Sequence, residues 1–146
     1  MTTDQYNIQV VLGEIFGAKS NIETHSPAFY FHVKIEADSR LDIPTNPIHN
    51  AFVYLIKGNL EIEGGRQLTT NQVVLYQRGE SHINLYAQEA AEFLVLGGQP
   101  LDEAVYSYGP FVMNTQSEIQ EALFDFQNGK MGELKESFED EKNDSV

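Results

Sequence analysis

The spacing of apolar positions changes once along the chain. From about residue 8 to residue 97 they fall in short β-branched and aromatic runs, separated by Gly, Pro, Asn and Asp. Side chains alternate between the two faces of a strand, so such runs predict an all-β sandwich or barrel. The clearest run is Phe29 to Glu36, where Phe29, Phe31, Val33 and Ile35 alternate with Tyr30, His32, Lys34 and Glu36. One face is for the core and the other is wetter. Ala51 to Ile56 is apolar on both faces, which predicts a central strand. Asn59 to Glu63 alternates Leu60 and Ile62 with Glu61 and Glu63, and Gly64-Gly65 supplies a hairpin turn into Arg66 to Leu68. With Val73 to Tyr76, His82 to Ala87 and Glu92 to Leu96, the pattern predicts at least seven strands.

After residue 110 the period lengthens. Thr115-Gln116-Ser117-Glu118 is a capping box, in which a hydroxyl and a carboxylate satisfy backbone donors at a helix start. Ile119, Ala122, Leu123 and Phe126 follow at helical spacing, and Asn128-Gly129 is a suitable stop, so a helix is expected over 116–127. A weaker helical stretch runs through Leu134 and Phe138. The first helix has an apolar face that needs cover from the barrel, from a partner subunit, or from both. The resulting division is an N-terminal arm at 1–7, a barrel over 8–114, a helix at 115–132 belonging to the same domain, and an acidic, disordered tail at 133–146. In the tail, Glu133, Glu136, Glu139, Asp140, Glu141 and Asp144 are opposed only by Lys135 and Lys142.

Composition narrows the chemistry. The 146 residues fit one domain, and the absence of cysteine removes disulfides, thiolate nucleophiles and Cys-ligated metals. A net charge of -13, with the basic residues scattered singly, argues against direct nucleic-acid binding. Neither a signal-like start nor a membrane-length apolar run is visible, so the expected address is the cytoplasm. There is no nucleophile elbow, phosphate loop or dinucleotide fingerprint. Glu61 and Glu63 read as solvated surface, and His32 as a surface residue.

Two stretches resemble the paired motifs of the cupin superfamily, a β-barrel of jelly-roll type. The strand Ala51 to Ile56, followed by Lys57-Gly58, sits where the second half of the first motif would. Counting back from Gly58 puts its glutamate at Asn50 or Ala51 and its His-x-His pair at Pro44 and Asn46, so all three ligands are missing. The second motif aligns on Gly79-Glu80-Ser81-His82, with Gln77 for its proline and Tyr86 for its asparagine. A tightly held metal needs about three converging protein ligands, so no cofactor is expected. The alternative is iron or another divalent metal on an irregular set, His25, His49 and His82. His82 reads more simply as a barrel-lining histidine bonded to Asn84 or Tyr86, and His82, Asn84, Tyr86, His49 and Tyr54 are the candidates for a ligand pocket. No catalytic residue is assigned.

Val105 to Gly132 carries a more specific resemblance. Tyr108-Gly109-Pro110-Phe111-Val112-Met113-Asn114-Thr115, the capped helix, and Gln127-Asn128-Gly129-Lys130 resemble the end of the pirin family. Upstream, Gly17-Ala18-Lys19-Ser20, Thr24-His25-Ser26-Pro27, Asn50-Ala51-Phe52-Val53-Tyr54 and Leu96-Gly97-Gly98-Gln99-Pro100-Leu101 look like the same family's second domain. The resemblance implies a stand-alone copy of the pirin C-terminal cupin domain. It further implies relatives with two barrels, whose iron site lies in the N-terminal one on a His-Pro-His-Arg-Gly-Phe-Glu type motif that this chain lacks. Quercetin-cleaving dioxygenase activity and iron-dependent transcriptional co-regulation go with that iron. Only the fold transfers, and fold does not fix function. The expected role is therefore a non-catalytic ligand-binding or protein-interaction module, with a quercetinase-like dioxygenase as the alternative. A lone barrel would expose the face that its lost neighbour covered, so a homodimer is expected, with the Tyr108 to Met113 segment and the helix near the interface. A separately encoded N-terminal-type cupin is the other candidate partner.

Overall fold

A computed structural model describes residues 1–133. Within them the strands are β1 (Tyr6–Leu12), β2 (Glu14–Ile15), β3 (Ala18–Lys19), β4 (Ala28–Ile35), β5 (Ser39–Pro44), β6 (Asn50–Lys57), β7 (Asn59–Ile62), β8 (Arg66–Thr69), β9 (Val73–Tyr76), β10 (His82–Ala87), β11 (Ala91–Gly98), β12 (Tyr106–Tyr108) and β13 (Phe111–Met113). One helix follows, α1 (Gln116–Gln127). No helix among the described residues is long and apolar enough to cross a membrane.

The chain divides into two compact units, Met1–Leu101 and a second beginning at Asp102. In the first, a five-stranded sheet of order β1-β4-β11-β6-β9 and a four-stranded sheet of order β5-β10-β7-β8 are antiparallel throughout. From β4 to β11 the chain crosses between them at every step except the β7–β8 hairpin, which stays in the four-stranded sheet, as in a jelly roll. Alternation along each strand fills the space between the sheets: Phe31, Val33 and Ile35 from β4, Val53 and Leu55 from β6, Ile83 and Leu85 from β10, and Phe93 and Val95 from β11 share one core. Each of these is at most 3% exposed, and Ser39 is the one buried polar residue described. The expected all-β, cupin-type barrel with a C-terminal helix is the architecture found.

Several expectations change in detail. Residues 1–7 do not form an arm: Thr2 bridges Asn7, the Met1 amine donates to the Ile8 carbonyl at 2.7 Å, and β1 begins at Tyr6. Strand β5 is an addition, its Leu41 and Ile43 buried between exposed Arg40, Asp42 and Pro44. With only two large apolar side chains among charged ones, its period is too short to stand out in sequence. Strand β6 is paired on both sides but lies next to the edge strand β9, and Phe52, Tyr54 and Ile56 on its outer face are half-buried. Glu63 leaves the strand for a 3₁₀ turn with Gly64 and Gly65, both at positive φ, so it does not share a strand face with Glu61.

The second unit pairs the hairpin β12–β13 with α1, so the barrel ends at Leu101 instead of residue 114 and the helix groups with residues 102–114. Thr115 caps the helix, its Oγ1 accepting from the Glu118 amide at 3.2 Å, while Glu118 Oε2 accepts from the Asn114 amide at 3.2 Å. Ile119 and Ala122 are buried, and Phe126 meets Phe111 edge to face at 6.0 Å. Gly129, at φ +69, ends the helix. The second helical stretch and all but the first residue of the acidic tail lie outside the described residues.

Candidate functional site

The first test is whether the barrel can take the metal of the cupin motifs. Pro44, at the end of β5, lies directly opposite His82, so the topology does bring the two motif positions together. Yet Pro44, Asn46, Asn50 and His82 are all exposed, while their neighbours Ile43 and Ile83 point into the core at 0% and 1% exposure. Pro, Asn and Asn supply no strong ligand either. His25, His49 and His82 are not gathered in compensation: the described residues hold no group of three or more His, Asp or Glu placed for a metal ion. The residues present do not fit the metal.

The reading of His82 as barrel-lining is therefore corrected. Strand alternation puts Ile83, Leu85 and Ala87 inside, and His82, Asn84 and Tyr86 on the outer face of β10. His82 Nδ1 shares a hydrogen bond with Ser81 Oγ at 2.8 Å, and not with Asn84 or Tyr86. Asn84 and Tyr86 line a shallow outer cavity of about 200 Å³ with Arg40 and Glu61. There Arg40 stacks over the Tyr86 ring at 4.6 Å, and the Tyr86 hydroxyl donates to Asp38 at 3.2 Å, a bond that holds its proton above the usual tyrosine range. His49 stacks on Phe29 at 6.3 Å. Tyr54 bonds Asn71 at 3.1 Å from the outer face of the other sheet, and His25 is exposed in the segment before β4. His32 is more than surface: its Nε2 meets Glu92 Oε1 at 2.6 Å across β4 and β11.

One group escaped the sequence reading. Tyr76 on β9 packs its ring against the core, and its hydroxyl is buried without a hydrogen-bond partner among the described residues. Burial, and then the nearby Glu63 carboxylate, push its pKa up to about 12, with Arg66 opposing. It lines a cavity of about 340 Å³ with Ile62, Glu63, Arg66, Val74, Leu75, Gln77 and Glu80. A tyrosine ending an apolar run reads as core, and only the neighbouring turn reveals its polar end.

A sequence profile of the Pirin C-terminal cupin domain matches residues 30–132. The chain belongs to the pirin family. It is 33% identical over 133 residues to a pirin-like protein of Solanum lycopersicum, covering 88% of this chain and 45% of that protein. To pirin of Homo sapiens it is 30% identical, covering 88% and 46%. Among solved structures, a quercetin 2,3-dioxygenase from Acinetobacter baumannii superposes with a TM-score of 0.82 at 33% identity, over 92% of this chain and 46% of that one. The chain thus spans less than half the length of these pirin relatives. Its barrel corresponds to their C-terminal cupin domain, as the pirin-like segments quoted from the sequence implied.

Proposed function

We propose that this pirin-type cupin module is non-catalytic and acts by assembly, without a metal of its own. The observation that carries this reading is the barrel interior, where aliphatic and phenylalanine side chains from both sheets fill the inward positions and, among the described residues, no charged side chain is buried; the one buried polar residue, Ser39, donates to the Ala37 carbonyl. The partner is a second copy of the chain. In support, the second unit displays Tyr106, Tyr108, Val112, Phe124 and Phe126 to solvent, all between 49% and 63% exposed. Apolar side chains gathered on so short a segment mark an association surface.

The test is elemental analysis of the full chain by plasma mass spectrometry, with mass in solution from light scattering on the same sample. Metal far below stoichiometry and a dimer mass are expected, with the double variant Tyr108→Ser/Phe126→Ser shifting the mass toward the monomer. A clean monomer at micromolar concentration refutes the dimer, and a fixed second protein in the sample replaces the second copy with a separate cupin. The dioxygenase reading draws on the likeness to the Acinetobacter baumannii quercetin 2,3-dioxygenase. Near-stoichiometric iron, manganese, nickel or zinc that is lost in His82→Ala would put it first.

A further inference from the structure

Strand β9 differs from the other edges of the two sheets. An edge strand invites pairing with another chain, and edges are ordinarily blunted by charge, proline, a bulge or cover. Three of the four edges follow that rule. Residues 1–3 fold back on β1, where the Ile8 amide donates to the Met1 carbonyl at 2.7 Å, and the β1 ladder is bulged between Val10 and Leu12. Strand β5 exposes Arg40, Asp42 and Pro44, and β8 begins at exposed Arg66. Strand β9 has none of these devices: Val73 and Leu75 are 51% and 75% exposed, and the sequence carries neither charge nor proline between Arg66 and Arg78. Leu75 is the most exposed large apolar residue described in Met1–Leu101.

The outer face of the larger sheet shows what fits. Two rows of half-buried side chains cross it and stop at β9: Tyr30, Leu96 and Phe52 lead to Leu75, and His32, Leu94 and Tyr54 lead to Val73. Residues opposite one another in an antiparallel pair share a face, so a strand that continues both rows presents outward apolar side chains two residues apart. Strand β9 of a second copy does so. About a two-fold axis perpendicular to the sheet, Val73 meets Leu75 of the second copy, Leu75 meets its Val73, and Val74 meets its own equivalent. The ladder selects the same register. The Leu55 amide donates to the Gln72 carbonyl at 3.0 Å, and bonding residues alternate, so Val74 and Tyr76 turn their backbone groups to β6 while Val73 and Leu75 turn theirs to the open edge. Within β9 this register alone pairs both of them. Charge agrees, since two chains of net charge -13 meet along a stretch that has no carboxylate. We propose that two copies pair antiparallel through β9 and join their five-stranded sheets into one. The inference rests on the reading of a second copy as the partner, and adds a barrel contact to that assembly.

The experiment is Val74→Cys in the full chain, which has no other cysteine, oxidised at micromolar concentration with copper phenanthroline. In this register the two introduced thiols lie opposite each other with Cα atoms about 4.5 Å apart, within reach of a disulfide. Gln77→Cys is the control, because the same register puts it opposite Asn71 and about 20 Å along the strand from its own equivalent. Covalent dimer is expected from Val74→Cys and not from Gln77→Cys. A second readout leaves the strand intact: in the wild type, the Val73 and Leu75 amides should exchange with deuterium at least about tenfold more slowly in the dimer than after dilution to monomer. Leu75→Lys should weaken the dimer about tenfold with an unchanged circular dichroism spectrum. A wild type of dimer mass in which Val74→Cys does not cross-link and the Val73 and Leu75 amides exchange as fast as in the monomer overturns β9 pairing and leaves the assembly reading standing. A wild type of monomer mass overturns both.

Discussion

Gly58 offers the sharpest test of how this barrel is held. It sits at the corner where the chain leaves β6 for β7, with φ at +90°, and a Cβ built there would lie 2.6 Å from the Ala90 carbonyl oxygen and 2.9 Å from Ala91 Cα. Ordinary contact begins at 3.4 Å, so the backbone ahead of β11 would have to retreat by most of an ångström. Ala91 is 5% exposed and opens the strand that pairs with both β4 and β6, so that retreat disturbs the centre of the larger sheet. Gly64 is the control: φ is +75° and nothing lies within 4 Å. Gly64→Ala should lose only the left-handed backbone preference, about 1–2 kcal/mol. Gly58→Ala adds an overlap with backbone that cannot rotate away, for a total of about 3–5 kcal/mol, a large part of the ~5–15 kcal/mol typical of a domain. Urea unfolding followed by far-ultraviolet circular dichroism measures both, since the chain has no tryptophan. Losses equal within ~0.5 kcal/mol would refute the close-approach account, and with it the physical reason why the closing glycine of the first cupin motif stands here without its metal ligands.

Three further outcomes follow from the same geometry. Phe93→Ala empties a fully buried position between the two sheets and should cost about 3–5 kcal/mol in the same unfolding assay. Thr115→Ala removes the helix cap and should cost about 1 kcal/mol, read as faster hydrogen exchange at the first α1 amides while those of β4 and β11 stay protected. Tyr76 keeps its proton in the folded chain up to about pH 12, whereas an unfolded tyrosine loses it near its ordinary value of 10.0. The folded state therefore holds more protons between those values, and stability falls as pH rises from 10 to 12. With the hydroxyl buried but the residue partly exposed, the loss is about 2 kcal/mol, and Tyr76→Phe should remove that part of the slope in melts taken across this window.

The barrel was legible wherever the alternating runs were long. Ala28–Ile35, Val73–Tyr76 and His82–Ala87 follow their sequence signals to within a residue, as does the helix, whose cap, apolar spacing and stop all agree. Strand β5 was not legible, because Arg40, Asp42 and Pro44 outweigh Leu41 and Ile43 until β10 is there to pair with them. Apolar residues on both faces placed β6 between two neighbours but could not tell the middle of a sheet from the position beside an edge. The division at Leu101 was hidden as well, since Tyr106–Tyr108 and Phe111–Met113 are only three residues each and continue the β pattern of the barrel. Of the candidate pocket, the residue types were visible and the side of the sheet was not. Strand alternation says that His82, Asn84 and Tyr86 share a face, and only the burial of Ile83 and Leu85 says which.

That choice of face has consequences beyond one histidine. The side-chain period of a strand is two, so turning His82 inward requires β10 to slip by one residue, which would drive Ile83, Leu85 and Ala87 into water together. These three are at most 3% exposed, and β5 opposite them alternates in step, with Leu41 and Ile43 inside and Pro44 outside. A histidine placed at residue 44 would therefore stand opposite an outward His82, with the interior still closed by Val53, Leu55 and Phe93. A metal centre inside this barrel would need whole inward rows replaced, together with room for the ion and its substrate. The corners of the cupin fold are separable from its chemistry: Gly58 depends on where backbone passes backbone and Gly79 on a positive φ of +111° in open space, whereas the chemistry depends on which residues occupy the alternate positions between them.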